Sequence, residues 1–211
     1  MPASIALRAS AARPSFATGR RPPLDLSRMV GAADWATLPA ALRRRFAAGQ
    51  ETARYHGTMR LSRSPIGAVF GWLGKAFGGP LPLATGEAIP TIVDVRASAG
   101  GVIWERHFGP DDRVLSVKSL NRRGDLIERT AGGLGMVLAL SVEDGALLFT
   151  SRCFFLAIGR WSLPVPALLT PGVCRVEHRA VDERRFRFTM TMTHRLWGVT
   201  FRQSGIFTDP E

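Results

Sequence analysis

The stretch Arg185-Phe186-Arg187-Phe188-Thr189-Met190-Thr191-Met192-Thr193-His194 alternates without a break. Phe186, Phe188, Met190 and Met192 share one side of the chain, and Arg185, Arg187, Thr189, Thr191 and Thr193 share the other. A period of two is the signature of a strand with one face on a core and one in water. His194 keeps the period but breaks the chemistry, because it falls on the apolar side.

Working outward, the same period recurs nearly everywhere after the first fifty residues. It predicts ten strands: 54–63, 89–97, 101–108, 113–120, 125–130, 136–142, 146–158, 173–179, 184–194 and 199–207. The links between them carry turn residues, namely Ala99-Gly100-Gly101, Pro110-Asp111-Asp112, Arg122-Arg123-Gly124-Asp125 and Glu143-Asp144-Gly145. The last is an Asp-Gly hairpin signal. Such short links join antiparallel neighbours and leave no room for a parallel crossover. The expected fold class is therefore mainly β, with α+β as the alternative. A long antiparallel meander forms a strongly curved sheet or barrel. The segment Ser162–Gly172, with Pro164, Pro166 and Pro171, is expected to leave the ladder as a rim loop.

Two short helices are expected near the N-terminus. Leu38, Leu42 and Phe46 recur at helical spacing, with Pro39 suited to a first turn and Gly49 to a stop. Ser64-Pro65 is an N-cap followed by proline at N1, and Gly78-Gly79-Pro80 ends the helix after Phe77. Ile66, Val69, Phe70, Leu73 and Phe77 fall in one apolar arc opposite Lys75, so this helix should pack on the sheet or plug one end of it.

The chain has 211 residues, 45% of them hydrophobic, enough for one sizeable core. The formal charge of +11 comes from 26 Arg and only 2 Lys against 17 acids. Residues 1–33 hold Arg8, Arg13, Arg20, Arg21 and Arg28 against Asp25 alone, with four prolines and few large apolar side chains. They are expected to be a disordered basic arm, and residues 34–211 a single β-rich domain. The arm lacks the apolar h-region of a secretory signal, and its prolines break any transit-peptide helix. No apolar run approaches the ~20 residues of a membrane span, so the expected location is cytoplasmic.

Cys153 and Cys174 are expected as buried free thiols in strand interiors, and no metal-ligand spacing or cofactor motif accompanies them. Gly132-Gly133-Leu134-Gly135-Met136 superficially suggests a dinucleotide loop, but the segment after it is a strand, whereas pyrophosphate binding needs a helix N-terminus. The glycines are better suited to a bulged strand entry where another backbone or a ligand comes close. There is no nucleophile elbow, phosphate loop or metalloprotease motif.

Polar residues in phase with apolar rows are the candidate site. Arg106 sits in Val102-x-Trp104-x-Arg106-x-Phe108, Gln203 in Val199-x-Phe201-x-Gln203, His178 in Cys174-x-Val176-x-His178, and His194 ends the row quoted above. Asp94 and Glu128 lie in strands apolar on both faces, which leaves their phase open. A buried Arg needs an acidic partner or a hydrated cavity, and four such groups on four strands suit a barrel that holds a ligand.

These residues also carry a resemblance. Leu38-Pro39-x-Ala41-Leu42-Arg43, Tyr55-x-Gly57-x-Met59, Trp104-x-Arg106-x-Phe108, Gly132-Gly133-Leu134-Gly135-Met136, Leu169-Thr170-Pro171-Gly172 and Phe201-x-Gln203-x-Gly205-x-Phe207 resemble the bacterial family known as domain of unknown function 4166, over about residues 37–209. The resemblance implies a bacterial protein and, by analogy, an oxidoreductase-like partner domain, since the family's domain also occurs fused to NAD-dependent epimerase-like or dehydrogenase-like domains. It brings no activity and no catalytic residues. Arg195 stands where the family pattern has proline, which leaves the turn after His194 undetermined.

The first functional expectation is a non-enzymatic binding domain for a small apolar, amphipathic or lipid-like ligand. Arg106, His178, His194 and Gln203 would recognise its polar part, and Trp104, Phe186, Phe188, Met190, Phe201 and Phe207 would form the walls. The second is an enzyme using the same cavity with His194 or His178 as general base, which requires His194, Arg106 and Gln203 to converge. The third is a module for anionic membrane or other acidic surfaces, using the basic arm and the helix bearing Trp72. Nucleic acid is not expected as a partner, because basic strand positions are not interleaved with exposed aromatics.

Overall fold

The computed structural model describes residues 24–47, 52–79, 81–98 and 100–210. Eleven antiparallel strands follow one another: β1 Ala53–Arg63, β2 Gly86–Ser98, β3 Gly101–Phe108, β4 Asp112–Leu120, β5 Leu126–Thr130, β6 Leu134–Glu143, β7 Ala146–Ile158, β8 Trp161–Val165, β9 Val173–Ala180, β10 Arg185–His194 and β11 Gly198–Thr208. All ten expected strands form, with ends shifted by up to three residues. Asp144 and Gly145 both adopt positive φ, as a two-residue hairpin between β6 and β7 requires.

The strands run in the order β6-β5-β4-β3-β2-β1-β11-β10-β9-β7-β8, and β6 also pairs with β7. That last pairing closes ten strands into an antiparallel barrel, leaving β8 outside the ring. β7 therefore forks: Ala146–Thr150 pair with β9, whereas Phe154–Ile158 pair with β8. At the fork the Ser151 hydroxyl accepts a hydrogen bond from the Cys174 amide at 2.9 Å. The expectation that 162–172 is all loop is thus corrected, since its start continues β8. The prolines are tolerated there because an edge strand has one side with no partner to receive an N–H. Ala167–Leu169 then form a 3-10 turn that leads back to β9.

The two ends of the barrel differ. At one end lie α1 Leu26–Val30, α2 Ala32–Thr37 and α3 Ala40–Arg45. Leu24, Leu26, Leu42 and Phe46 are buried in one cluster with Tyr55, Phe149, Phe186 and Phe207 of the strands. The basic arm read from the sequence therefore ends too late. Residues 24–33 belong to the folded unit, Asp25 caps α1 by accepting from the Ser27 amide at 3.1 Å, and residues 1–23 lie outside the described residues. Arg45 fastens this plug: its guanidinium grips Asp209 at 2.6 Å and lies 3.8 Å over the Phe186 ring.

At the opposite end α4, Pro65–Gly74, follows β1, with Pro65 at N1 and the Ser64 hydroxyl accepting from the Gly67 amide at 3.2 Å. A 3-10 turn, Lys75–Phe77, completes it, and Gly78 ends it in the left-handed region. The apolar arc read from the sequence is not the packed face. Gly67, Gly71 and Gly74 are the buried residues of α4, while Val69, Leu73 and Phe77 are exposed. A Cβ on Gly67 would come within 2.1 Å of the Thr200 carbonyl oxygen, so glycine is what lets helix and barrel touch through their backbones. The glycines before β6 serve the same end. A Cβ on Gly132 would meet the Phe77 carbonyl carbon at 2.1 Å, and the Thr130 hydroxyl donates to the Phe77 carbonyl at 2.6 Å.

Candidate functional site

The barrel encloses a cavity of about 570 Å³ that reaches from α4 and β8 inward to β3, β4, β5, β7 and β10. Most of its wall is apolar, including Phe108, Met136, Phe149, Phe154, Phe188 and Met190. Leu73, Phe77, Leu163 and Leu169 both line it and are exposed, which marks its mouth between α4 and the β8 edge.

One polar island interrupts the wall. Arg106 of β3 donates to Ser116 Oγ at 3.1 Å and to Glu128 Oε1 at 3.2 Å. Ser116 donates to the same oxygen at 2.6 Å, and Lys118 Nζ lies 3.0 Å from Oε2. The four side chains come from β3, β4 and β5, where register sets Lys118 directly opposite Glu128 and Trp104 opposite Ser116. Trp104 floors the island, with its ring 4.6 Å from Lys118 Nζ and 5.7 Å from Arg106 Cζ. Lys118 and Glu128 retain 10% and 11% of their side-chain surface, at the cavity they line.

Electrostatics follow from this setting. Burial by itself would raise the Glu128 carboxyl, but the ammonium of Lys118 and the guanidinium of Arg106 outweigh it and pull the pKa down to about 2. Burial also lowers Lys118, with Glu128 opposing. His178 sits beside the island in a cage of Phe46, Trp104, Phe149, Phe186 and Phe188. Burial, reinforced by Arg45, Lys118 and Arg106, holds its imidazole well below the usual value, so it is neutral, and its Nδ1 has no hydrogen-bond partner.

Of the eight residues read as a site from the sequence, Trp104, Arg106, His178, Phe188, Met190 and Gln203 line this one cavity. His194 and Phe201 do not. His194 is buried at the end of β10 beneath α4, stacked 4.1 Å from Trp197, and its Nδ1 accepts the Leu196 amide at 3.1 Å. That bond closes the turn after His194, with Arg195 at its centre. His194 Nε2 is buried without a partner. Phe201 packs with Met192, Cys174 and Leu81. Convergence of His194 with Arg106 and Gln203, which catalysis by that imidazole needs, is absent.

Two island residues, Ser116 and Lys118, escaped the sequence reading, and a third, Glu128, was left open by it. Val114-x-Ser116-x-Lys118 obeys the same in-phase rule that singled out Arg106, so the signal was present for Ser116 and Lys118. Glu128 was ambiguous, and the structure turns it inward, whereas Asp94 faces outward to Arg54 at 2.6 Å. Burial pushes the Cys174 thiol up to about 12, while Cys153, expected inside, is exposed and also free. Among the described residues no helix is long and apolar enough to cross a membrane, and no group of three or more His, Cys, Asp or Glu could hold a metal ion.

A family model described as "Domain of unknown function (DUF4166)" matches residues 38–207. No curated protein and no solved structure matches the chain.

Proposed function

The chain belongs to the domain of unknown function 4166 family, and from the cavity itself we propose that it is a non-enzymatic binding protein for a small amphipathic, lipid-like molecule. The observation that carries this reading is a largely apolar pocket of about 570 Å³ with one cluster of charged side chains and an open mouth. That combination suits a ligand with an apolar body and one polar end. A barrel interior meant only for stability would be filled by side chains. Native mass spectrometry of the purified protein, with displacement of a fluorescent apolar probe, tests it. The expected result is a co-purified ligand or saturable probe uptake, reduced by Val114→Trp, which fills the pocket. A folded protein that shows neither overturns the reading.

A second reading concerns where that ligand is exchanged. Around the mouth Trp72, which is 71% exposed, joins exposed Leu73, Trp161, Leu168, Leu169 and Leu196. Residues 64–83, 152–176 and 193–202, which build much of this end, contain no Asp or Glu, while Lys75, Arg160 and Arg195 lie among the apolar side chains. Lys75 is shared with Asp112 at 3.4 Å. An apolar rim dotted with cations complements an anionic bilayer surface. Sedimentation with vesicles of phosphatidylcholine with and without phosphatidylglycerol should show binding only to the anionic set, weakened by Trp72→Ala with Trp161→Ala. Equal, negligible binding to both sets excludes membrane docking and leaves the ligand-binding reading in place.

A further inference from the structure

Resting on the ligand-binding reading above, we propose that the polar island is a receptor for a carboxylate, so that the ligand is an apolar molecule ending in a single negative charge. Charge and unused donors in the island both favour an anion. The side chains that enter the cavity include two cations, Arg106 and Lys118, and one carboxylate, Glu128. Within the island itself Arg106 and Lys118 share that single carboxylate. A second negative charge would balance it.

The donors point the same way. Arg106 places one N–H on Ser116 and one on Glu128, from the five a guanidinium offers. Lys118 places one of its three on Glu128. The Trp104 ring covers both cations on one side and Phe149 lies 5.8 Å from Lys118 Nζ, so the aromatic walls attract positive charge but cannot accept those hydrogen bonds. A buried cation without a full set of acceptors is costly, and a ligand carboxylate supplies two acceptor oxygens at once. Glu128 holds the two cations apart and in place, while the neutral, caged His178 adds no charge beside them. The apolar remainder of the ligand then runs toward the mouth at Leu73 and Leu169.

The test compares dodecanoate, dodecanol, methyl dodecanoate and dodecyl phosphate, four probes that differ only in the head group, by calorimetry on the intact protein near neutral pH. Dodecanoate is expected to bind at least about tenfold tighter than the alcohol or the ester. Lys118→Met and Arg106→Leu should each bring the acid and the alcohol to within about threefold of each other. Glu128→Gln, which removes the competing carboxylate, should tighten dodecanoate and so widen its margin over dodecanol. Each variant is read only on protein whose thermal transition remains cooperative. Acid and alcohol binding equally well to the wild type overturns the carboxylate receptor but not the pocket's role. Dodecyl phosphate binding better than dodecanoate overturns the choice of carboxylate. Failure of all probes to bind overturns both readings together.

Discussion

Lys118 Nζ lies 3.0 Å from Glu128 Oε2, across paired positions of neighbouring strands, and both side chains point into the barrel. A buried ion pair of this kind contributes little net stability, yet losing one partner is expensive because the other stays charged and buried. Glu128→Ala leaves Arg106 and Lys118 facing each other and should cost about 3 kcal/mol, near the lower end for a broken buried pair because the cavity admits some solvation. Lys118→Met, which leaves Glu128 with Arg106 and Ser116, should cost clearly less. Urea denaturation of the two variants checks the asymmetry, and equal losses would contradict it.

The same island makes stability depend on pH in a definite direction. His178 has a folded-state pKa well below its usual value, so the unfolded chain binds a proton that the folded chain does not. Its contribution is present above about pH 6.5 and is lost as pH falls below that. Glu128, lowered to about 2, has a contribution present above its unfolded pKa, and this is lost as pH falls toward 2. The thermal midpoint should therefore decline in two stages. His178→Leu should flatten the decline from its onset at about pH 6.5 downward, leaving the Glu128 part that sets in below the unfolded carboxyl pKa. A profile that is unchanged in the variant would remove His178 from the account.

Backbone contact between α4 and the barrel predicts an ordering of glycine substitutions. Gly67→Ala forces a Cβ to within 2.1 Å of a carbonyl oxygen, which cannot yield without moving the helix. It should destabilise by about 2 kcal/mol or more, as overpacking does. The added methyl of Gly71→Ala would meet only the flexible tip of Leu83 and the edge of the Phe201 ring, at 3.2 and 3.3 Å, and it should be tolerated within about 1 kcal/mol. Thermal melts of the two proteins distinguish the cases.

At the closed end, Asp209 is the acidic partner of Arg45, whose side chain is almost wholly buried over Phe186. Asp209→Ala strands that charge and should cost about 3 kcal/mol. Hydrogen exchange should show α3 opening more readily in the variant than strands β3 to β5 do. Uniform loss of protection would mean that the helical plug does not act as a separate unit.

Leu26→Ala addresses the boundary of the folded domain. Leu26 is buried with Leu24 against strand residues, so the change should cost about 2 to 3 kcal/mol, as for other truncated core leucines. A loss below about 0.5 kcal/mol would return this segment to the arm.

What the sequence by itself determined is local. The alternation of Arg185 to His194 and its counterparts defines ten strands, Asp144-Gly145 defines a hairpin, and Ser64-Pro65 defines the start of α4, because side-chain period, positive φ and capping are settled within a few residues. The inward row Trp104-Arg106 was legible for the same reason. Tertiary structure decided what depends on meetings between distant segments. Closure by β6 against β7 and the fork of β7 depend on which edges find each other, which no local pattern encodes. Glu128 could face either way, since its strand is apolar on both sides, and only pairing with Lys118 and Arg106 turned it inward. The face of α4 that packs is made of glycines rather than of its apolar arc, because backbone approach to Thr200 is a property of two surfaces. His194 kept its inward phase yet missed the cavity. Periodicity says which side of a strand a residue occupies, but how far along the barrel it sits relative to α4 is set by packing.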